Sequence, residues 1–213
     1  MADGHHRGRA NRAQRTPLKA ITCEYNTTST MALQVLAGVP TLELELLRIA
    51  RVEGDRIAVR RGAMTVQEAE VRNTRHSNNL LNLWQSKWVA SRKGRWTARW
   101  FPDVGRQVGR GWCRMDHFTS QLLTGHGDFK AKLNGFNLAG DSACPCGFPS
   151  GNAEHLLMDC QLANQEREKL KLAMRAAGAD WPFELEFMTS SEVMFRALNE
   201  FAQKRHQIYD FQR

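Results

Sequence analysis

The sequence has no apolar run long enough to cross a bilayer. A membrane-spanning helix needs about 20 consecutive apolar residues, and no such stretch occurs among the 213 residues. Residues 1–15 are hydrophilic and arginine-rich, without the apolar segment of a secretory signal. We therefore expect no membrane partner and no secretion, and we expect the protein to be nuclear or, alternatively, cytoplasmic.

An even set of regularly spaced cysteines is also missing. The chain has five cysteines, and only three of them lie close together in the sequence. An odd, clustered set fits a disulfide framework poorly and is more typical of reduced, metal-binding thiols. We interpret the isolated Cys23 and Cys113 as small core residues.

No strand-turn-strand pattern and no long internal repeat occur along the chain. Apolar residues recur at helical spacing, which predicts a mainly α fold. Helices are expected over 31–37, from Leu42 to a stop at Gly54, around Trp84 and Trp88, and over 117–123, 129–136, 162–177 and 191–209. Residues 55–75 are polar, which indicates either a solvated helix or a loosely ordered connector.

The strongest local motif is C-x-C-x8-H-x4-C, formed by Cys144, Cys146, His155 and Cys160. Three thiolates and one imidazole form a closed tetrahedral set that is typical of structural zinc. The alternative is a group of ordinary buried thiols beside a surface histidine. If a helix carries His155, it must loosen or end before Cys160, because two residues five positions apart do not share one helical face.

Basic residues outnumber acidic ones by 30 to 22, a formal charge of +8 that favours a polyanionic partner. The segment from Lys87 to Arg114, called the basic segment below, carries most of this excess and contains a single acid, Asp103. The cations predicted to contact nucleic acid are Lys87, Arg92, Lys93, Arg95, Arg99, Arg106, Arg110 and Arg114. The alternative is a merely solvated face. Tryptophans interleave with them and could stack on bases, but the spacing of Trp84/Trp88 and Trp96/Trp100 is equally that of a buried stripe.

Two other functions compete with nucleic-acid binding. Asp103 after a proline, followed by Asp128 and Lys130, formally matches a magnesium-dependent nuclease motif, with Asp116 as a third acid. That active site should lie on adjoining strands, and such short patterns arise easily by chance. The other alternative is a domesticated or inert remnant whose helices bind only protein. Its candidate contacts are Met194, Leu198 and Phe201, which we interpret rather as core-facing positions of the last helix.

Several motifs in order along the chain resemble one family. They are Tyr25-Asn-Thr-Thr-Ser-Thr-Met-Ala-Leu-Gln-Val-Leu-Ala-Gly38, Trp84 to Trp88, Lys93-Gly-Arg-Trp-Thr97 with Pro102-Asp103, Leu122-Leu-Thr-Gly-His-Gly-Asp-Phe129, and the cysteine cluster. Over residues 12–162 the chain resembles the C-terminal region of a non-LTR (LINE-type) retrotransposon polyprotein, of the clade that inserts in ribosomal DNA. Residues 163–213 match only in being helical.

The resemblance implies a helical region that follows the reverse transcriptase domain. Residues 1–54 would resemble the end of the thumb region, 55–140 a basic tryptophan-rich linker, 141–165 the CCHC zinc knuckle, and 166–213 the C-terminal helices. Such a region would assist RNA and target-DNA binding in target-primed reverse transcription, with the polymerase domain of the polyprotein as partner. No Asp-Asp pair occurs in the chain, so we expect no two-metal polymerase centre and no enzyme activity.

Overall fold

The computed structural model is built from α-helices joined by turns, and it describes the backbone of residues 4–210 and the side chains of residues 9–204. The helices are α1 (Gly4–Thr22), α2 (Thr30–Leu36), α3 (Leu42–Arg60), α4 (Val66–Ala90), α5 (Arg95–Trp100), α6 (His117–Thr124), α7 (Lys130–Asn134), α8 (Ala153–Met158), α9 (Asn164–Ala176) and α10 (Glu192–Asp210). Short 3-10 turns cover Gly105–Gln107, Gln161–Ala163 and Leu185–Thr189. Residues 4–210 contain no strand, which confirms the mainly α fold. None of the described helices is long and apolar enough to cross a membrane.

Helix boundaries follow the capping residues of the sequence. Ser29 caps α2 by accepting a hydrogen bond from the amide of Ala32, and Asp116 caps α6 by accepting one from Thr119. Gly94 lies in the left-handed region (φ 71°) after α4 has ended at Ala90. These positions were predictable because a cap depends on residues close in sequence.

One predicted boundary is wrong. Helix α3 does not stop at Gly54 but continues to Arg60, and the turn that ends it contains Gly62 at φ 68°. A glycine inside a helix costs only about 1 kcal/mol relative to alanine, so packing of α3 along α4 can outweigh it. Thr65 and Glu68 then form a capping box that starts α4.

Helices α3 and α4 form an antiparallel hairpin whose outer part projects from the core. No residue from 45 to 79 is buried. Polar pairs join the two helices: Asp55 lies 2.9 Å from His76 and 3.3 Å from Arg72, and Lys87 lies 3.0 Å from Glu43. Of the two structures predicted for residues 55–75, the solvated helix is therefore the one observed, interrupted by the turn between α3 and α4.

A hydrophobic cluster joins the inner end of this hairpin to α2, α5, α6, α8, α9 and α10. Trp84, Trp88 and Trp100 are almost fully buried in it, and Trp96 and Trp112 pack partly buried against it. The i, i+4 tryptophan spacing thus belongs to the core rather than to a base-stacking surface. The residues of this cluster range from Ala32 to Ala202 and come from all four of the predicted domains. The domain boundaries themselves stay a prediction.

Sequence reasoning missed the first helix. Gln14 on α1 is buried, donates to the carbonyl of Pro40 (2.7 Å), and accepts from the side chain of Gln34 (2.7 Å) and the amide of Leu42 (3.0 Å). Arg15 donates to the carbonyl of Thr28. These bonds fix α1 against α2 and α3, and none is visible in a hydrophilic stretch of sequence.

Candidate metal centre and basic segment

The structure brings the four predicted metal ligands together. The thiols of Cys144, Cys146 and Cys160 and a ring nitrogen of His155 all lie within 4.8 Å of one another. The Sγ atoms of Cys144 and Cys160 are 3.7 Å apart, and Cys146 Sγ is 3.2 Å from His155 Nε2. Two sulfurs on a tetrahedral zinc with bonds of about 2.3 Å are about 3.8 Å apart. The donor set and its spacing therefore fit zinc.

A tight turn places the first two ligands. The amide of Gly147 donates to the carbonyl of Cys144 (2.8 Å), and the amide of Cys144 donates to the carbonyl of Phe148 (2.8 Å). Gly147 has φ 92°, a conformation that favours glycine. The turn holds Cys144 and Cys146 on one side of the loop, as a C-x-C pair requires.

The short helix α8 places the other two ligands. Asn152 caps it by accepting a hydrogen bond from the amide of His155 (2.8 Å), which sets His155 in the first turn. The helix ends at Met158, and the amide of Cys160 folds back to the carbonyl of His155 (2.8 Å). The prediction that the helix ends before Cys160 is confirmed.

The local environment favours the metal-binding protonation states. Burial lowers the pKa of His155, which favours the neutral imidazole. Burial raises the pKa of the Cys146 thiol, but hydrogen bonds from the backbone of Phe148 and from Cys144 and Cys160 outweigh it, and the pKa is lowered overall. The Phe148 ring stacks on His155 with centroids 4.2 Å apart and planes 3° from parallel.

Five of the eight cations predicted to bind nucleic acid have partners within the chain. They are Lys87 with Glu43 (3.0 Å), Arg99 with Glu154 (2.6 Å), Arg106 with Glu186 (2.7 Å), Arg110 with the carbonyl of Thr189 (2.6 Å), and Arg95 with the carbonyls of Trp88, Val89 and Ser91 (3.0–3.3 Å). These side chains tie distant segments together or complete the end of α4. Nucleic acid would have to compete with these contacts.

The other three predicted cations have exposed side chains without a partner among the described residues. Arg92, Lys93 and Arg114 are exposed, and no described residue forms a hydrogen bond or ion pair with their side chains. Arg92 and Lys93 lie in the turn between α4 and α5, the helix that carries Arg99. The contact between Arg99 of α5 and Glu154 of α8 joins the basic segment to the cluster.

Sequence reasoning missed two exposed side chains beside the metal ligands. Phe148 is 44% exposed although it stacks on His155. Lys130 is exposed, and a side-chain carbon at Gly151 would lie 3.3 Å from its Cβ and 3.2 Å from the Cα of Cys144. No local signal separates such an exposed phenylalanine from a core residue, because its exposure depends on where α7 and the loop pack.

The three acids of the nuclease motif, Asp103, Asp116 and Asp128, do not form a metal-ligating group in the described part of the chain. Within that part, the Cys/His cluster is the one group of three or more metal-ligating side chains. Asp103 instead accepts from the amide of Gly105 and pairs with Arg106, while Asp116 caps α6 and accepts from Gln203. The described residues also contain none of the strands on which such a site lies.

The residues considered as candidate protein-binding contacts lie in the hydrophobic core. Met194, Leu198 and Phe201 are at most 3% exposed, as expected for core-facing residues of the last helix. They cannot form a docking surface. Cys23 was wrongly placed in the core and is exposed, whereas burial raises the pKa of Cys113 to about 11.

Comparison with known proteins links the chain to one group. It is 34% identical over 195 residues to the retrovirus-related Pol polyprotein from type-1 retrotransposable element R1 4 of Nasonia vitripennis, covering 87% of this chain and 49% of that protein. It is 34% identical over 171 residues to the putative 115 kDa protein in type-1 retrotransposable element R1DM of Drosophila melanogaster, covering 74% of this chain and 16% of that protein. A second Nasonia polyprotein, from element R1 2, is 30% identical over 191 residues.

The chain thus spans about half the length of the Nasonia relatives and a much smaller part of the Drosophila protein. No family model matches the chain, and no solved structure matches it significantly.

Proposed function

This chain is a homologue of part of the Pol polyproteins of R1 type-1, non-LTR retrotransposable elements, and from that premise we propose that it is a nucleic-acid-binding region of such a polyprotein. It would follow the reverse transcriptase domain and help hold RNA and target DNA during target-primed reverse transcription. Its partners are then RNA, DNA and the polymerase part of the polyprotein, and its place of action is the nucleus. Insertion into ribosomal DNA belongs to the same proposal.

The observation that carries the proposal is the attachment of a zinc-fitting cluster to a basic segment. The ion pair between Arg99 and Glu154 joins α5 to α8, at 2.6 Å between the charged atoms. The free cations Arg92 and Lys93 precede α5, and Lys130 lies against the loop of the cluster. A nucleic-acid strand could therefore contact cations of both parts, and Coulomb attraction to phosphates supplies most of the affinity in such contacts.

Zinc would serve structure rather than catalysis. Cys144, Cys146, His155 and Cys160 would hold it, and four protein ligands leave no position open for water or substrate. The metal would supply the cross-link that keeps the loop and α8 together. The chain also has no adjacent aspartates, so the polymerase centre would belong to another part of the polyprotein.

Neutralising the free cations should weaken binding in a salt-dependent way. We expect the triple variant Arg92→Gln, Lys93→Gln, Arg114→Gln to bind single-stranded RNA less tightly, with a log-log salt slope shallower by about 2, at about 0.7 per phosphate contact. Fluorescence anisotropy of labelled RNA and duplex DNA across a salt series measures both effects. Cys146→Ser, measured in parallel, reports whether binding needs the metal cluster.

The matched control removes three cations from another surface. Lys169→Gln, Arg175→Gln, Arg196→Gln lowers the net charge equally but lies on α9 and α10. Equal slopes in the two triple variants would mean that binding follows net charge alone. Absence of salt-sensitive binding by the zinc-loaded wild type would refute the proposed function.

Phe148 should contribute to the binding of single-stranded RNA and not to the binding of duplex DNA. The residue is 44% exposed on the loop of the cluster, and stacking of a base on an aromatic ring is worth roughly 1–3 kcal/mol. We expect Phe148→Ala to weaken RNA binding roughly 5- to 150-fold and to leave duplex DNA binding within about twofold. Phe136→Ala, which removes another exposed ring (43%), is the control. Equal losses for RNA and duplex would exclude base stacking, and zinc content measured in both variants shows whether the ligand His155 was disturbed.

A further inference from the structure

Arg167 is a buried cation next to the metal cluster. Only 4% of the residue is exposed, and its guanidinium donates four hydrogen bonds. Nε donates to the carbonyl of Leu157 (2.8 Å), Nη2 to the carbonyls of Leu156 (3.1 Å) and Cys160 (2.7 Å), and Nη1 to Asn164 Oδ1 (2.6 Å). Three of these acceptors lie on the segment that leads from His155 to Cys160.

All of these acceptors are neutral. Among the described residues no carboxylate forms an ion pair with Arg167; Asp159 and Glu168 are exposed, and Glu168 pairs with Lys171 at 2.7 Å. Burying a charge without an opposite charge is costly, and buried arginines are normally paired. These hydrogen bonds use four of the five N–H donors of Arg167 but leave its positive charge without a bonded counter-charge.

The metal cluster can supply that charge. Zinc bound by three thiolates and a neutral imidazole carries one net negative charge. We propose that Arg167 is the counter-ion of the zinc-loaded cluster and positions the segment between its last two ligands. This inference rests on the zinc of the proposed function, and it assigns the buried arginine of α9 a role in metal affinity.

The test compares zinc affinities of full-length variants by competition with a chromophoric chelator, with cobalt absorption to report the coordination sphere. We expect Arg167→Gln to weaken zinc binding roughly 10- to 100-fold, the usual effect of removing a group that supports metal ligands. Arg167→Lys keeps the charge and should lose much less. Arg110→Gln is the matched control, since Arg110 also donates to a backbone carbonyl, that of Thr189.

A second background separates charge from hydrogen bonding. In Cys146→His the zinc-loaded cluster has no net charge. In that background Arg167→Gln should lower the logarithm of the zinc affinity by less than about a third of the decrease that it causes in wild type. Equal losses in both backgrounds, or a loss for Arg167→Lys equal to that for Arg167→Gln, would overturn the counter-ion role. If wild type itself binds no zinc, the metal part of the proposed function fails. Tight wild-type binding that is insensitive to Arg167 defeats this inference alone.

Discussion

Removal of zinc is expected to unfold residues 140–165 and to loosen α9. Apparent binding free energies of structural zinc in zinc-finger peptides are about 10–16 kcal/mol, which exceeds the stability of most small modules. Here α8 has only six residues, fewer than an isolated helix needs, so we expect neither it nor the turn before it to persist without the cross-link.

The effect should reach beyond the ligands. Leu156 and Leu157 are fully buried in the shared core, and Arg167 of α9 donates to both of their carbonyls. When α8 unfolds, Arg167 loses its acceptors and the core loses two leucines. The outer hairpin of α3 and α4 should stay protected because no residue from 45 to 79 packs into that core.

Hydrogen exchange with mass detection, with and without a strong chelator, measures this prediction. Protection should be lost over residues 140–176 and kept over 45–79. Cys160→Ser should reproduce the loss without chelator, whereas Cys113→Ser, a half-buried thiol outside the cluster, should not. Unchanged protection of residues 140–165 after verified metal removal would contradict it.

Replacing Trp88 with alanine should lower the free energy of unfolding by about 3–5 kcal/mol, the usual loss for a buried tryptophan. Its ring is 1% exposed, and its Nε1 donates to the carbonyl of Phe101 at 2.8 Å. The ring also lies against Gly94, where an added Cβ would come within 3.0 Å of it. Its loss therefore opens a cavity between α4 and the segment after α5.

Urea denaturation followed by circular dichroism measures the loss. Trp88→Phe keeps most of the ring but removes the donor, and it should cost about 1–2 kcal/mol. Val89→Ala, at a neighbouring side chain that is 65% exposed, should change stability by less than about 0.5 kcal/mol. A cost below about 1 kcal/mol for Trp88→Ala would contradict the core assignment. Two separate transitions in wild type would favour the predicted division into domains.

Most helix ends could be predicted from the sequence, but features that depend on packing could not. Asp116 and Gly94 mark helix ends through local hydrogen bonding and backbone conformation, so these ends were correct. Gly54 misled because its small local penalty is outweighed by the packing of α3 along α4. For Cys23, exposure follows from its place at the end of α1, which the sequence did not indicate.

The sequence by itself determined that the chain is mainly helical and which four residues can form the metal cluster, since both depend on spacing within one short segment. Only the tertiary structure decided which cations are free. Arg99, Arg106 and Arg110 meet Glu154, Glu186 and Thr189, from 55 to 80 positions away. The same holds for Arg167, whose burial follows from the packing of α9 on α8. Contacts between residues far apart in the chain decide whether a charge neutralises the protein's own groups or remains available to a phosphate.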